Sequence, residues 1–201
     1  MTCREEKLRR VIDLGYEISQ IRDIDLLLEK ILLEARGFTN SDAGSIYVRE
    51  NDNLVFRYAQ NDTMQRQLQP GKKLPYSTFS LPINNASISG YVASNGAILN
   101  ISDVYEVDSH YPFSFNRSYD DLTGYRTCSM LTIPLQNFRG EVIGILQLIN
   151  AMNNNNETIP FDNDDEEIIL YFANNAAVAI ERAKMTREII LRMNKMAALR
   201  F

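Results

Sequence analysis

The sequence predicts a mixed α/β protein of the α+β type, with a central antiparallel sheet of about six strands flanked by long terminal helices. Two observations carry this prediction. Apolar residues recur three and four positions apart near both ends of the chain, whereas short alternating or continuous apolar runs fill the middle. At 201 residues, the chain fits one domain with long appendages better than two domains.

The composition is typical of a globular protein, with 45% apolar and 23% charged residues. A formal net charge of −5 gives no electrostatic reason to expect a nucleic-acid partner. No window approaches the roughly 18 uninterrupted apolar residues of a membrane span, and the charged N-terminus lacks a signal-peptide core, so we predict no membrane partner. Cys3 and Cys128 lie far apart in the sequence, which favours a reduced, cytoplasmic protein without disulfides.

Residues 4–36 show the apolar spacing of a helix, which predicts one long helix that is kinked or split. Asp23 or Asp25 can cap a second helix that begins near Leu26, and Gly37 suits a helix end. Residues 1–24 are therefore expected to form an N-terminal signalling and dimerisation helix.

The middle of the chain predicts strands joined by polar turns. Two alternating segments around a turn at 50–53 predict a hairpin, and a short helix is expected from Ser87 to a stop at Gly96. The other predicted strands are 79–83, 128–137 and 140–151, and residues 97–105 are predicted as a strand followed by a turn. Residues 64–75 are predicted as a loop, 106–119 as a loop that has room for a helical turn, and 152–160 as a turn.

Asp162 is expected to open a last helix of about 38 residues, roughly 57 Å long, which exceeds what a domain of this size can cover. Apolar and small residues repeat along it at alternating spacings of three and four, which predicts a heptad seam. The seam positions are Ile169, Phe172, Ala176, Ala179, Ala183, Thr186, Ile190, Met193 and Ala197. We therefore expect the second half of the helix to pack against a partner helix or a following domain.

The polar segment 100–127 is rich in hydrogen-bonding groups and poor in reactive ones. His110 is the only histidine, no serine elbow motif accompanies it, and no histidine or cysteine pair has metal-ligand spacing. We therefore predict no catalytic residue, no metal site and no cofactor, and a surface position for His110 outweighs haem ligation. The helix start at 87–90 admits two interpretations, a seat for a phosphate or an ordinary capped helix packed on the sheet.

Three motifs together carry a family resemblance: ISGYVASNGAILNISDVY at 88–105, DDLTGYRT at 120–127 and IPLQNFRGEVIGILQLIN at 133–150. They resemble the GAF domains, above all the regulatory GAF domains of mammalian cyclic-nucleotide phosphodiesterases and cyanobacterial adenylate cyclases. The likeness covers residues 25–180 and implies a GAF fold in which these residues form a small-molecule sensor domain.

The resemblance also implies a set of ligand contacts, with a cyclic nucleotide as a candidate ligand. Ser45 corresponds to the position that meets the base, and Ile88 and Ser89 to the helix start that holds the cyclic phosphate. The remaining positions are Asp120, Thr123 and Thr127, which match the family, Asn116 in place of an aromatic residue, and Gln147 in place of a glutamate. The residues alone equally allow a structural account, in which Asp120 and Thr123 cap turns and Arg126 forms a salt bridge.

A further family signature is partly present. Asn150, Phe161 and Asp165 match it, whereas Ala151 stands where the family has a lysine that pairs with the aspartate and holds the pocket lid. The resemblance places the ligand between the sheet, the helix that begins at Ser87 and the segment 105–127, which would act as a movable cover.

Met185–Arg200 resembles the connector that enters a bacterial HD-GYP phosphodiesterase domain, which acts on cyclic di-GMP. Residues 181–201 would then join the sensor to a C-terminal effector domain in cis, and the segment would be the non-catalytic sensory half of a bacterial signalling enzyme. The alternative is a generic signalling helix that feeds a cyclase or a histidine kinase.

Three functional hypotheses follow. The first is a small-molecule sensor that signals through a homodimer of its terminal helices. The second is a ligand-free dimerisation module with a filled pocket. The third is an enzyme such as the GAF-type free methionine sulfoxide reductase, which is disfavoured because Cys3 and Cys128 poorly match the cysteine set that this chemistry needs.

Overall fold

The computed structural model describes residues 3–72, 74 and 79–198. The helices are α1 (Cys3–Gln20), α2 (Ile24–Thr39), α3 (Asp62–Arg66), α4 (Ile88–Asn95), α5 (Ser118–Thr123) and α6 (Asn163–Ala198), with a 3₁₀ turn at Val104–Glu106. The strands are β1 (Ser41–Glu50), β2 (Asn53–Asn61), β3 (Ser80–Pro82), β4 (Leu99–Ile101), β5 (Met130–Gln136), β6 (Val142–Met152) and β7 (Thr158–Ile159).

The strands form one antiparallel sheet in the order β3-β2-β1-β6-β5-β4, and β7 pairs with β6 outside this path. This confirms the predicted α+β class and the central antiparallel sheet of six strands. The seventh, β7, consists of two residues within the segment 152–160, which was predicted as a turn. Its pairing with Ala151 and Met152 depends on the chain folding back onto β6, which no local pattern signals.

The two faces of the sheet bury different partners because side chains alternate along each strand. On one face, residues such as Ile46, Ile133 and Leu146 join α1, α2 and α6 in a single hydrophobic core. On the other face, Tyr47 and Ile145 pack against α4. We call this second face the α4 face, and it carries the polar residues described below.

The N-terminal helical segment is split, as the sequence allowed. The Asp23 carboxylate accepts hydrogen bonds from the backbone N–H groups of Asp25 and Leu26, at 2.9 and 3.0 Å, and so caps α2. The predicted end at Gly37 is wrong. The helix continues to Thr39 and ends at Asn40, which has φ 48°, because asparagine tolerates the left-handed conformation of a helix C-cap.

Two short helices lie where loops were predicted. In α3, the Asn61 side chain accepts a hydrogen bond from the backbone N–H of Met64 at 2.8 Å. The short α5 begins inside the segment 106–119 and ends at Gly124, which has φ 71°. Neither helix exceeds six residues, so neither has an apolar period that the sequence could display. The polar stretch 70–75 lies only partly within the described residues.

The last helix has 36 residues, and the predicted start is confirmed because Asp162 accepts the backbone N–H of Asp165 at 2.7 Å. Only the second half of the predicted seam, however, is exposed and available to a partner helix. Its residues from Ile169 to Ala183 are buried in the core against α1, α2 and the sheet of the same chain. Beyond Ala183 the helix projects from the domain with large exposed apolar side chains; the side chain of Ala197 lies outside the described residues. Within the described chain, none of the helices has the length and apolar character to span a membrane.

Candidate functional site

A row of buried polar side chains crosses the α4 face where apolar residues would be expected. Ser45, Gln147 and Thr132 lie side by side on three neighbouring strands, because β1, β6 and β5 pair in that register. The Ser45 hydroxyl donates to Gln147 Oε1 at 3.3 Å, and Gln147 Nε2 lies 3.4 Å from both Thr132 Oγ1 and Met130 Sδ. Gln147 is therefore the centre of the row, with both its donor and its acceptor in use.

Tyr47 extends this row to α4. It is two residues after Ser45 on β1 and lies on the same face. Its hydroxyl is within hydrogen-bonding reach of the side chains of Ser45 and Ser89, and burial raises the pKa of Tyr47. The sequence analysis missed this residue, although the alternation of β1 around Ser45 contained the signal. We define the polar row as Ser45, Tyr47, Ser89, Thr132 and Gln147.

The start of α4 is built as the sequence predicted. The Ser87 hydroxyl accepts a hydrogen bond from the backbone N–H of Gly90 at 3.1 Å, and Gly96 ends the helix with φ 66°. A Cβ atom at Gly90 would lie 2.5 Å from the Asn84 carbonyl oxygen, so only glycine fits there. The side chain of Ile88 is buried with Val104, Phe113 and Met130, which leaves only its backbone for a ligand. The packed-helix interpretation is thus confirmed, and a phosphate seat at the same place stays a prediction.

Asp120 and Thr127 contact each other rather than an open space. The buried Asp120 carboxylate accepts the backbone N–H and the hydroxyl of Thr127, both at 2.8 Å, and the Tyr105 hydroxyl at 2.9 Å. Three donors satisfy this carboxylate, which a buried charge requires. The segment Asp120–Thr127, which we call the recognition segment, is thereby closed on itself.

The other two positions of this region are more exposed. Thr123 donates to the Tyr119 carbonyl at 2.7 Å and accepts the backbone N–H of Tyr125 at 3.3 Å, so it does cap a turn. Asn116 is exposed, and its side chain accepts the backbone N–H of Ser118 at 2.9 Å. No hydrogen bond among the described residues joins either side chain to the polar row.

Arginines clamp the aromatic ring beside the recognition segment. The guanidinium carbons of Arg126 and Arg117 lie 3.6 and 4.3 Å from the centroid of the Tyr105 ring. Arg126 also pairs with Asp103 at 2.8 Å, which confirms the structural salt bridge that the residues allowed. These contacts hold the recognition segment against the turn at 104–106.

Asn150 anchors the recognition segment to β6. Its Oδ1 accepts the backbone N–H of Cys128 at 2.7 Å, and its Nδ2 donates to the Tyr125 hydroxyl at 3.0 Å and the Arg126 carbonyl at 2.8 Å. The Tyr125 hydroxyl in turn donates to Asp42 Oδ2 on β1 at 2.9 Å. Burial, and then the charge of Asp42, raise the pKa of Tyr125. Asn150 is thus the central connection between the segment and the sheet.

The other members of the partly matched signature lie at the entry to α6. Phe161 is buried, and its carbonyl accepts the Asn100 side chain at 3.2 Å. Asp165 forms a reciprocal cap with Asp162, through the 2.7 Å bond described above and a second bond of 3.4 Å. Ala151, at the family's lysine position, is buried in the core against the helices.

Two of the cavities lined by described residues bear on the predicted site. One of about 220 Å³ lies on the Asp42 side of Tyr125, and an open groove of about 700 Å³ runs between Asn95 and Lys184. Neither lies between the recognition segment and Ser89, where the ligand was expected. All five residues of the polar row are buried, and Gln147 bonds both Ser45 and Thr132.

The groups considered for catalysis are poorly placed for it. His110 is exposed and pairs with Asp108 at 2.6 Å. Cys128 is half-buried, and burial followed by the nearby Asp103 raises the pKa of its thiol, which disfavours the reactive thiolate. The side chain of Cys3 lies outside the described residues. Among the described residues there is no group of three histidine, cysteine or acidic side chains that could hold a metal ion.

Comparisons with known proteins agree on one family. The family profile described as GAF domain matches residues 23–180. The chain is 30% identical over 179 residues to a cGMP-specific 3',5'-cyclic phosphodiesterase of Drosophila ananassae, covering 87% of this chain and 15% of that protein. The chain therefore spans a small part of this relative.

Solved structures share the fold at low sequence identity. The GAF domain of a phosphoenolpyruvate-protein phosphotransferase from Coxiella burnetii is 17% identical with a TM-score of 0.66, over 92% of this chain and 96% of that one. A GAF domain/HD domain protein from Geobacter sulfurreducens is 14% identical with a TM-score of 0.59, over 84% of this chain and 98% of that one. At this level of identity they establish the fold alone.

Proposed function

Because the chain belongs to the GAF domain family, we propose that it is a cytoplasmic sensor domain that binds a small molecule and regulates an effector domain. As a GAF domain related to a cyclic-nucleotide phosphodiesterase, the segment is a regulatory module and not itself an enzyme. The proposal concerns what it binds, how it signals and what it controls.

The polar row is the observation that carries the proposal. Burying polar side chains costs about 1–3 kcal/mol for each group that is not well paired, so apolar residues would serve the core at least as well. The contacts of Gln147 are long, at 3.3 to 3.4 Å, and a ligand offering better-placed partners could replace them. We infer that these residues are present for binding rather than for stability.

A cyclic nucleotide is the ligand class that the family resemblance favours. Its phosphate would lie at the start of α4 near Ser89, and its base would lie against Ser45 and Gln147. An amide at Gln147 offers both a donor and an acceptor where a carboxylate offers acceptors only, so the base preference would differ from that of a glutamate-bearing relative. Asn116, in place of an aromatic residue, would lack stacking of about 1 kcal/mol.

Binding requires the recognition segment to open and close over the polar row. The hydrogen bonds of Asn150 and Asp120 would hold its closed position. Only a ligand that prefers one arrangement can shift the balance between the two. A coupling of about 1–3 kcal/mol between two sites is typical of allosteric proteins.

The output would pass through the terminal helices of a homodimer. The predicted seam must be corrected here, because its first half is filled by the chain itself. The exposed apolar residues of α6 that share one face form an outer stripe, and α1 adds Ile12 and Tyr16. The outer stripe consists of Tyr171, Val178, Met185, Ile189 and Met196. Burial of this stripe against a second copy would stabilise a parallel pair of α6 helices.

The effector proposal rests on the resemblance of Met185–Arg200 to the connector of a bacterial HD-GYP domain. The full-length protein would then be a cyclic di-GMP phosphodiesterase whose activity follows the state of the sensor. Sequencing the gene downstream of the Phe201 codon tests this part of the proposal directly, and the absence of an HD-GYP coding region there would remove it.

A ligand-free dimerisation module is the second candidate, and one observation favours it. Every buried side-chain nitrogen and oxygen among the described residues has a hydrogen-bond partner within the protein. The polar row could therefore be a filled, inert site. In that case only the outer stripe would matter for function.

Isothermal titration calorimetry with cAMP, cGMP and cyclic di-GMP separates the two candidates. We expect saturable heat with one of them, and at least tenfold weaker binding by Gln147→Leu, which keeps the side-chain size and removes both polar atoms. Absence of heat with all three nucleotides would remove the nucleotide version of the proposal. Equal binding by the wild type and Gln147→Leu would remove the polar row as its site.

A further inference from the structure

The open groove of about 700 Å³ lies away from the polar row, where three tight connections meet the root of the projecting helix. Its walls are the β1–β2 turn, the β5–β6 turn, the end of α4 and the side chain of Lys184 on α6. The side chains that matter for its chemistry are Arg49, Asn95, Gln136, Glu141 and Lys184. The family resemblance assigns no function to this surface.

Two cationic side chains line the groove, and each is bonded to backbone carbonyls. Arg49 donates to the carbonyls of Asn51 and Val142, at 3.0 and 3.5 Å, and Lys184 donates to the Arg49 carbonyl at 3.4 Å. Neither cation forms an ion pair with another described residue, whereas Arg36 and Arg57 do. Their positive charge is thus available to an anionic group in the groove.

The partial burial of Lys184 makes its charged amine sensitive to a bound anion. Desolvation is the largest cause that lowers the pKa of its amine, and Arg57 acts in the same direction. Glu50, Glu181 and Glu188 oppose the shift without offsetting it. A carboxylate bound at this end would stabilise the charged form of the amine.

The same groove also carries negative charge. Glu141 lines it, with Oε2 accepting the Asn137 side chain at 2.8 Å. The helix α4 ends there at Asn95 and Gly96, and the carbonyl end of a helix carries a partial negative charge. A bound molecule would therefore meet both cationic and anionic groups in the groove.

We propose that this groove binds a small zwitterion of the amino-acid type, with its carboxylate at Arg49 and Lys184 and its ammonium at Glu141 and the end of α4. Asn95 and Gln136 supply amide groups for the rest of the molecule. The site is independent of the polar row, so it would be a second input. Lys184 follows Ala183, the last buried residue described on α6, so a ligand here would contact the root of the output helix.

Titration of the ¹⁵N-labelled 201-residue chain with a mixture of the standard amino acids, followed by NMR, tests the proposal. We expect saturable shifts of the backbone amides of Asn51, Gly96 and Gly140. Lys184→Gln should raise the apparent dissociation constant of the amino-acid mixture at least tenfold. Lys195→Gln, on the exposed end of α6, should leave that constant unchanged. Glu141→Gln should weaken binding as well, because it removes the partner of the ammonium.

Sodium acetate supplies the carboxylate without the ammonium and should bind at least tenfold more weakly. The proposal is overturned by the absence of groove shifts in the wild type, by equal shifts in Lys184→Gln, or by acetate that binds as tightly as the mixture. Failure of cyclic-nucleotide binding would leave this result unchanged, because no residue of the polar row lines the groove.

Discussion

Replacing Asn150 should release the recognition segment from the sheet at a cost that the structure allows us to work out. Asn150→Ala removes three hydrogen bonds, to Cys128, Tyr125 and Arg126. At about 1 kcal/mol each, these contribute about 3 kcal/mol. Alanine at φ 56° adds about 1 kcal/mol of backbone strain, which gives about 4 kcal/mol in total.

Two matched variants separate these contributions. Asn150→Gly tolerates the left-handed backbone, so it should lose only the hydrogen bonds, or about 3 kcal/mol. Asn156→Ala has nearly the same backbone conformation, φ 59°, in an exposed turn, and should lose about 1 kcal/mol. Urea unfolding followed by circular dichroism measures the free energy of unfolding of all three. If Asn150→Ala loses no more than Asn156→Ala, Asn150 does not anchor the segment.

Three further changes test the core, the interface and the pH response. Gly90→Ala should lower the free energy of unfolding by about 1–3 kcal/mol because its Cβ would meet the Asn84 carbonyl. Gly37→Ala, inside α2 and facing open space, should raise the free energy of unfolding by about 1 kcal/mol. In sedimentation equilibrium, Val178→Glu on the outer stripe should turn dimers into monomers, and Asn194→Glu on another face of α6 should not; dimers in both would exclude the stripe. Burial, and then Glu29, raise the pKa of Tyr58 from 10.0 to about 12, so its contribution to stability is complete below pH 10 and is lost as the pH rises to 12. Tyr58→Phe should therefore show a shallower loss of stability over that range, and an unchanged slope would contradict this.

Local chemistry made several elements predictable from the sequence. Ser87 and Gly96 bound α4, and Asp23 caps α2, because capping depends on side chains within one helical turn. The strands of the two main hairpins were predictable for the same reason, since alternation and turn residues lie next to each other in the chain. Asp120 could be selected from its motif, but its partners could not.

Contacts between distant segments decided what the sequence left open. A heptad pattern shows that one face of α6 is buried, and it cannot show whether the partner belongs to the same chain. The small side chains of Ala176, Ala179 and Ala183 allow α1 and α2 of the same chain to fill that face. Tyr47 was not predicted as a site residue because an aromatic residue in a strand usually packs in the core. The polar contact of the Tyr47 hydroxyl depends on Ser89 of α4, which is distant in the sequence.

Native mass spectrometry of the purified chain tests whether the polar row is a binding site. We expect a population carrying a bound small molecule, identifiable by its mass, that disappears in Gln147→Leu while the variant remains folded. Bare protein in both spectra, or the same bound mass in both, would contradict the claim that the row of Ser45, Tyr47, Ser89, Thr132 and Gln147 binds a ligand.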